Sequence, residues 1–181
     1  PVTIRIYTGK MDYTQNVGKA KIETGIKSSF VKTTNAANYY IISNGGETVD
    51  YSKTNMFDYK ENINAAYLNY NRQFGKFGLQ AGLRYEHTTL EGFQHGNPQR
   101  PDSSFQRSYG NLFPTVFVSY AAGKNHQWGF NIGRRIDRPA YQDLNPFLFF
   151  LDNYTYQAGN PYLRPQYTNN VEVSHTFKGF L

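Results

Sequence analysis

Apolar and polar residues trade places one by one along each extended stretch of this chain, and short connections between stretches trade places with long ones. The clearest stretch runs from Phe77 to Glu86. It sets Phe77, Leu79, Ala81, Leu83 and Tyr85 on one side, against Gly78, Gln80, Gly82, Arg84 and Glu86 on the other. Successive side chains of a strand point to opposite faces, so this stretch is a strand with one apolar and one wet face. The same rule predicts seven strands, over about 2–14, 20–34, 57–73, 77–92, 112–121, 127–138 and 166–178. In the first, Val2, Ile4 and Ile6 oppose Thr3, Arg5 and Tyr7; in the second, Ile22, Ile26 and Phe30 oppose Glu23, Gly25 and Lys27. The sixth gathers Trp128, Phe130, Ile132 and Ile136 on one face, with Arg134 and Arg138 beyond them, and the seventh sets Val171, Val173 and Phe177 against Asn170, Glu172 and Ser174.

Tight turns are expected at 16–19, 75–76 and 123–126, and long polar connections at 35–56, 93–111 and 139–165. The first long connection carries extended arms at Tyr39–Ile42, and an eighth strand is available at about 38–43 or 147–151. Pro114 cannot donate to a ladder, so it is expected near the start of its strand. Tight turns at one rim and long loops at the other are what a sheet fixed across a membrane needs. Tyr70, Phe74, Phe77, Tyr120, Trp128, Phe177 and Phe180 gather near the tight turns, where an interfacial girdle of rings would sit. Two positions break the pattern. Glu61 shares a face with Tyr59, Ile63, Ala65 and Tyr67, where a carboxylate facing the lipid midplane would cost up to a few kcal/mol, and Phe117 sits with Thr115 and Ser119. Seven strands are one short of the smallest even-numbered barrel. Either one strand is missed or this is an arc of a larger barrel; a start at Pro1, without initiator Met or apolar leader, favours a processed or truncated piece and hence the arc.

Composition agrees. Of 181 residues, 17% are aromatic, yet the mean hydropathy is −0.67. Strands with one face to lipid and one to water reconcile those values. No apolar run is long enough for a transmembrane helix, whereas barrel strands need only about 9–11 residues. The absence of cysteine excludes disulfides and thiolate metal sites. The net charge of +6 is spread among turn lysines such as Lys19, Lys21, Lys76, Lys124 and Lys178, not gathered on one face as nucleic-acid binding requires. His87, His95, His126 and His175 lack metal-ligand spacing, and no nucleophile elbow or phosphate loop appears. No cofactor, metal or catalytic residue is expected, and the protein is read as no enzyme.

Four motifs in order carry a family resemblance: Tyr59-Lys60-Glu61-Asn62-Ile63-Asn64-Ala65-Ala66-Tyr67, Ala81-Gly82-Leu83-Arg84-Tyr85-Glu86-His87-Thr88, Leu112-Phe113-Pro114, and the run from Arg134. That run contains Arg134-Arg135-Ile136-Asp137-Arg138-Pro139, Leu144-Asn145-Pro146-Phe147 and Gly159-Asn160-Pro161-Tyr162-Leu163-Arg164-Pro165. Together they resemble the barrel domain of TonB-dependent outer-membrane receptors of Bacteroidetes-type bacteria, over about 57–180, with 1–56 adding a compatible strand pattern. The resemblance implies an all-β, antiparallel up-and-down meander: an arc of seven or eight strands over 1–181, cut from a transmembrane barrel of about 22 strands. It implies a share in energised uptake of a scarce nutrient (iron chelate, vitamin or glycan) across the bacterial outer membrane. The partners it implies are outer-membrane lipid, the rest of the barrel and a plug absent from this chain, a TonB-type energy-coupling protein acting through that plug, and a surface lipoprotein.

Two sets of candidate site residues follow. Tyr141, Phe147, Phe149, Phe150, Tyr154, Tyr156 and Tyr162, in the connection after Pro139, are candidate ligand contacts, because long loops carry function and exposed rings make large contacts. The bland alternative is that these rings pack on one another and staple the loop. Gln80, Arg84, Glu86, Asn131, Arg135 and Glu172, on polar faces, are candidate lumen-lining residues, with mutual cross-strand pairing as the alternative. Arg134 and Arg138 would reach lipid headgroup phosphates or water at the loop rim. The rival architecture is a soluble all-β carbohydrate- or ligand-binding sandwich, which would bury the apolar faces of two sheets against each other.

Overall fold

The computed structural model describes residues 1–43, 45–146, 148–152 and 154–177. The chain runs through β1 (Val2–Val17), β2 (Ala20–Ala37), a short hairpin of β3 (Tyr40–Ser43) and β4 (Gly46–Val49), then β5 (Asn55–Phe74), β6 (Phe77–His95), β7 (Ser103–Ala122) and β8 (His126–Asp137). A helical turn α1 (Tyr141–Leu144), the short pair β9 (Leu148–Phe150) and β10 (Tyr156–Ala158), and β11 (Gln166–Phe177) complete it. The long strands form one sheet in the order β1-β2-β5-β6-β7-β8-β11, each antiparallel to its neighbour. This is the expected meander. Within the described residues β1 and β11 have no outer partner, so the sheet is open.

The tight turns stand at the expected places. Gly18, Gly75 and Gly123 adopt φ of 60°, 57° and 79°, left-handed values that glycine reaches without steric cost. The long connections differ from expectation. β7 starts at Ser103 rather than near 112, so the middle connection shrinks to Gly96–Asp102, closed by an Asn97↔Arg100 bridge. Register with β6 continues unbroken from Phe77↔Tyr120 to Gln94↔Ser103. Backbone pairing with β6 keeps that largely polar stretch extended, with Phe105 and Tyr109 packed on its inner face. The hairpin β3–β4 realises the arms expected near Tyr39–Ile42, and β9 falls within 147–151, but both pair locally and add nothing to the seven-stranded sheet.

Pro114 lies mid-strand, opposite Leu83. Ala121 N–H donates to Lys76 O, so odd-numbered residues of β7 aim their backbone groups at β6 and even-numbered ones at β8. Pro114 is even, and it stands one residue beyond the last β7–β8 pair, Thr115↔Gly133. The N–H it lacks would have had no acceptor. A strand centre tolerates proline here because the neighbouring ladder has already ended.

Register fixes which side chains share a face. Leu83 pairs with Leu68 and Pro114, Ala81 with Tyr70 and Val116, and Phe77 with Phe74 and Tyr120; the Phe77 and Tyr120 rings stack at 4.5 Å. The same face carries Trp128, Phe130, Ile132, Val171 and Val173. On β6 this outer apolar band runs from Phe77 to Tyr85, the height of a membrane-crossing barrel strand; above it come His87, Thr89 and Glu91. Nothing covers it among the described residues: Leu83 is 48% exposed, and Val171 and Val173 are each 65% exposed. A sandwich would have buried these side chains under a second sheet, so the rival architecture fails.

Two assignments change face. Glu61 pairs with Val31 and Leu90, on the side of Arg84 and Glu86, so it points inward and breaks no lipid-facing pattern. In β1 the outward residues are Tyr7, Met11 and Tyr13, whereas Ile4 and Ile6 share the inner face with Thr33 and Val31. Phe117 also faces inward, opposite Gln80 and Asn131.

A covered inner face as the candidate functional site

The connection after β8 folds back over the inner face. Its cause lies in the sheet itself. β8 loses β7 as a neighbour above Gly133 yet continues to Asp137 paired with β11 alone. Released from one ladder, this part turns inward. Arg134 lies over the Tyr167 ring at 4.9 Å, and Tyr167 stacks on Phe113 of the inner face at 6.4 Å. Asn111 Nδ2 donates to Tyr167 Oη at 2.6 Å. Arg138 donates to Glu86 on β6, whose carboxylate also pairs with Arg84. The rim orientation expected for Arg134 and Arg138, beside Trp128, is therefore overturned.

α1 then drops Leu144, 2% exposed, into a cluster of Phe57, Tyr59 and Leu90, flanked by Phe105, Tyr109 and Tyr141. The returning segment clamps α1 from the other side. Gly159 N–H donates to Asn145 O at 2.9 Å and Asn160 N–H to Asp143 O at 2.6 Å. A Cβ at Gly159 would run into the carbonyls of Gln142, Asp143 and Asn145, so only glycine fits. Asn160 Oδ1 accepts from Tyr162 N–H at 2.8 Å, turning the chain into Pro161-Tyr162. Arg107 on β7 anchors the far end, donating to Leu163 O at 2.8 Å with its guanidinium 5.4 Å from the Tyr162 ring. At the outer tip, Asp152 accepts from the N–H groups of Tyr154 and Thr155, and these bonds, Tyr154 first, hold its carboxyl below the usual range.

Between flap and wall lies a cleft of about 740 Å³, lined among others by Tyr59, Glu61, Tyr109, Arg107, Arg138 and Arg164. Cations and phenolic rings surround one carboxylate there, an arrangement suited to binding a polar solute with anionic or planar groups. A second cleft of about 620 Å³ lies below it, where Arg84, Glu86, Arg135 and Arg138 meet Lys10 and Tyr67. Tyr67 donates to Asp12, which also holds Lys10 Nζ at 2.7 Å. A third, of about 340 Å³, brings Gln80 and Asn131 together with Glu23 and Asn69.

Of the candidate lumen-lining residues, Arg84 and Glu86 are joined in one ion cluster, and Gln80 and Asn131 share a cleft. Arg135 is exposed at a cleft rim, and Glu172 is exposed on β11 opposite Asn131. The candidate ring contacts divide. Tyr141 packs against the Leu144 cluster, Tyr154 is 97% exposed, Tyr156 lies exposed on β10, and exposed Tyr162 meets Arg107. Phe147 lies outside the described residues, as do the side chains of Phe149 and Phe150. Sequence reasoning missed Tyr59, Glu61, Arg107, Tyr109 and Leu144 as site residues. The signal was present at Glu61: a carboxylate that spoiled the outer pattern marked the inner face. Among the described residues no group of three or more His, Asp or Glu side chains is placed to hold a metal.

The comparisons fit this geometry. The profile of the outer membrane protein beta-barrel family matches residues 1–181, including 1–56, where the motif resemblance was silent. No curated protein matches significantly. Among solved structures, the siderophore receptor PiuA from Acinetobacter baumannii superposes with a TM-score of 0.67 at 14% identity, over 96% of this chain and 29% of that one. The closed form of the ferric-catecholate import receptor Fiu from Escherichia coli K12 gives a TM-score of 0.65 at 15% identity, over 98% and 29%. The ferric citrate transporter FecA gives 0.50 at 16% identity, over 75% and 20%. This chain therefore spans under a third of the length of these receptors. A lipid-width apolar band on one face of an open meander, matched from end to end by one family profile, places the chain in the bacterial outer membrane as a member of the outer membrane protein beta-barrel family.

Proposed function

We propose that this chain is one arc of the barrel of a TonB-dependent receptor that carries a scarce nutrient into the cell, as transporter and not enzyme. The observation behind this reading is the contrast between the faces. The outer one is apolar, bare and membrane-high; the inner one is charged and closed by the chain's own flap over the 740 Å³ cleft. In the whole protein a barrel of about 22 strands would surround a plug through which a TonB-type protein supplies energy. An iron chelate is the favoured cargo, since Arg107, Arg138 and Arg164 suit anionic groups and Tyr59 and Tyr109 suit planar ones. A vitamin, a glycan and a surface lipoprotein partner belong to the same reading.

Uptake of labelled ferric chelates, vitamins and glycans by cells carrying or lacking the full-length gene tests it. The expected result is accumulation of at least one cargo that vanishes on deleting either the gene or the energy-coupling protein. Uptake of every cargo unchanged by both deletions would overturn the transport reading.

A further inference from the structure

Two histidines that stand 49 positions apart in the chain meet on the outer face, at its tight-turn rim. The β8–β11 register sets His126 opposite Phe177 and Trp128 opposite His175, so the two imidazoles are diagonal neighbours on one face. His126 Nδ1 lies 3.0 Å from His175 Nε2. The ring planes are within 18° of each other and the centroids 5.2 Å apart, so the two nitrogens face each other edge to edge. Larger rings flank the pair on both sides: Trp128 at 4.4 Å from His175, and Phe177 at 4.9 Å from His126. Both histidines are exposed, and no carboxylate among the described residues pairs with either.

The two nitrogens share one proton, and a neutral imidazole offers the same lone pair to a metal ion. Zinc–nitrogen bonds are about 2.0–2.1 Å long, and a ring centroid lies about 1.2 Å behind its nitrogen. Two imidazoles on one tetrahedral ion therefore have centroids roughly 5.2–5.4 Å apart and nitrogens roughly 3.3–3.4 Å apart. The centroids already stand at that separation, and the nitrogens need part by only about 0.3–0.4 Å, a pivot of each ring in its own plane.

We propose that His126 and His175 form a two-imidazole site for a late first-row divalent cation, Zn²⁺ or Cu²⁺, with water completing its coordination. Nitrogen ligands without a carboxylate suit these ions and not the oxygen-seeking Mg²⁺ or Ca²⁺. The ion bridges β8 and β11 and so cross-links neighbouring strands at their tight-turn end. Because the two rings come together only in the folded sheet, binding there stabilises the barrel. The site lies on the opposite face from the clefts and plays no part in uptake.

The test uses the full-length protein in detergent, stripped with a chelator and free of any histidine tag. Equilibrium dialysis against Zn²⁺ or Cu²⁺ should find a site that His126→Gln and His175→Gln each weaken at least about tenfold, since even outer-shell partners of a metal carry roughly 10–100-fold in affinity. Mg²⁺ and Ca²⁺ should not occupy it. Cu²⁺ bound to the parent should show nitrogen hyperfine splitting from two imidazoles, and both variants should lose that signature. His87→Gln, above the apolar band on the same face, should bind like the parent. Zn²⁺ should raise the temperature of heat-modified migration for the parent and leave both variants unmoved. Without metal, parent and variants should migrate alike, which separates lost binding from lost folding. Equal binding by parent and both variants, a loss in only one of them, or equal occupancy by Mg²⁺ overturns the proposal. None of these outcomes touches the uptake reading, which stands or falls by its own experiment.

Discussion

Glu86 ties two elements together at the level of single residues. Its side chain is 12% exposed and meets Arg84 from its own strand and Arg138 from the root of the flap. Removing it leaves two guanidinium groups facing each other in a half-buried cleft. Glu86→Ala should loosen the flap by about 2 kcal/mol, below the roughly 3–5 kcal/mol of a fully buried pair because both arginines keep contact with water. Amide exchange over 138–146 should accelerate accordingly, and unchanged exchange would show that Arg138 does not hold the flap. Pro114→Ala is the opposite case. The N–H it restores has no ladder acceptor, so stability should move by less than about 1 kcal/mol, measured by the temperature of heat-modified migration on gels.

Among the elements, the flap carries the sharpest expectation. Its clamp depends on three backbone carbonyls converging on Gly159. Gly159→Ala should cost about 1–3 kcal/mol of local stability, the usual penalty of overpacking, and expose α1 to added protease while the sheet stays resistant. Equal resistance in variant and parent would sink the clamp. The flap also shows where local pattern loses its reach. Turn chemistry at Asn160-Pro161 and a long connection are legible in 139–165, but the descent of Leu144 onto Phe57, Tyr59 and Leu90 is not. Those contacts join residues more than fifty positions apart, and nothing in the flap's own sequence names its receptor. β7 teaches the same lesson in reverse: its polar first half looks like loop until β6 is present to pair with it.

The whole molecule is organised by what each face meets. An arginine at Leu83, inside the outer band, should destabilise the assembled barrel by about 2–4 kcal/mol, whereas an arginine at Gln80, on the inner face, should cost little. Urea unfolding of the full-length protein in lipid vesicles distinguishes the two. Equal effects would mean that hydrocarbon does not cover the outer face. The open edges of β1 and β11 belong to this scale as well, since strand edges left unpaired are templates for further strands.

From the sequence alone came the number of long strands, their antiparallel order, the tight turns at Gly18, Gly75 and Gly123, and the lipid-facing side of β6, β8 and β11. These depend on period-two alternation and on residues adjacent in the chain, both of which are local. Only the tertiary structure decided that Glu61, Ile4 and Ile6 face inward, that Arg134 and Arg138 turn toward the lumen, and that Leu144 closes a cleft. Alternation marks two faces on every strand, but it is the register with the neighbouring strand, set across the sheet, that says which of them looks in.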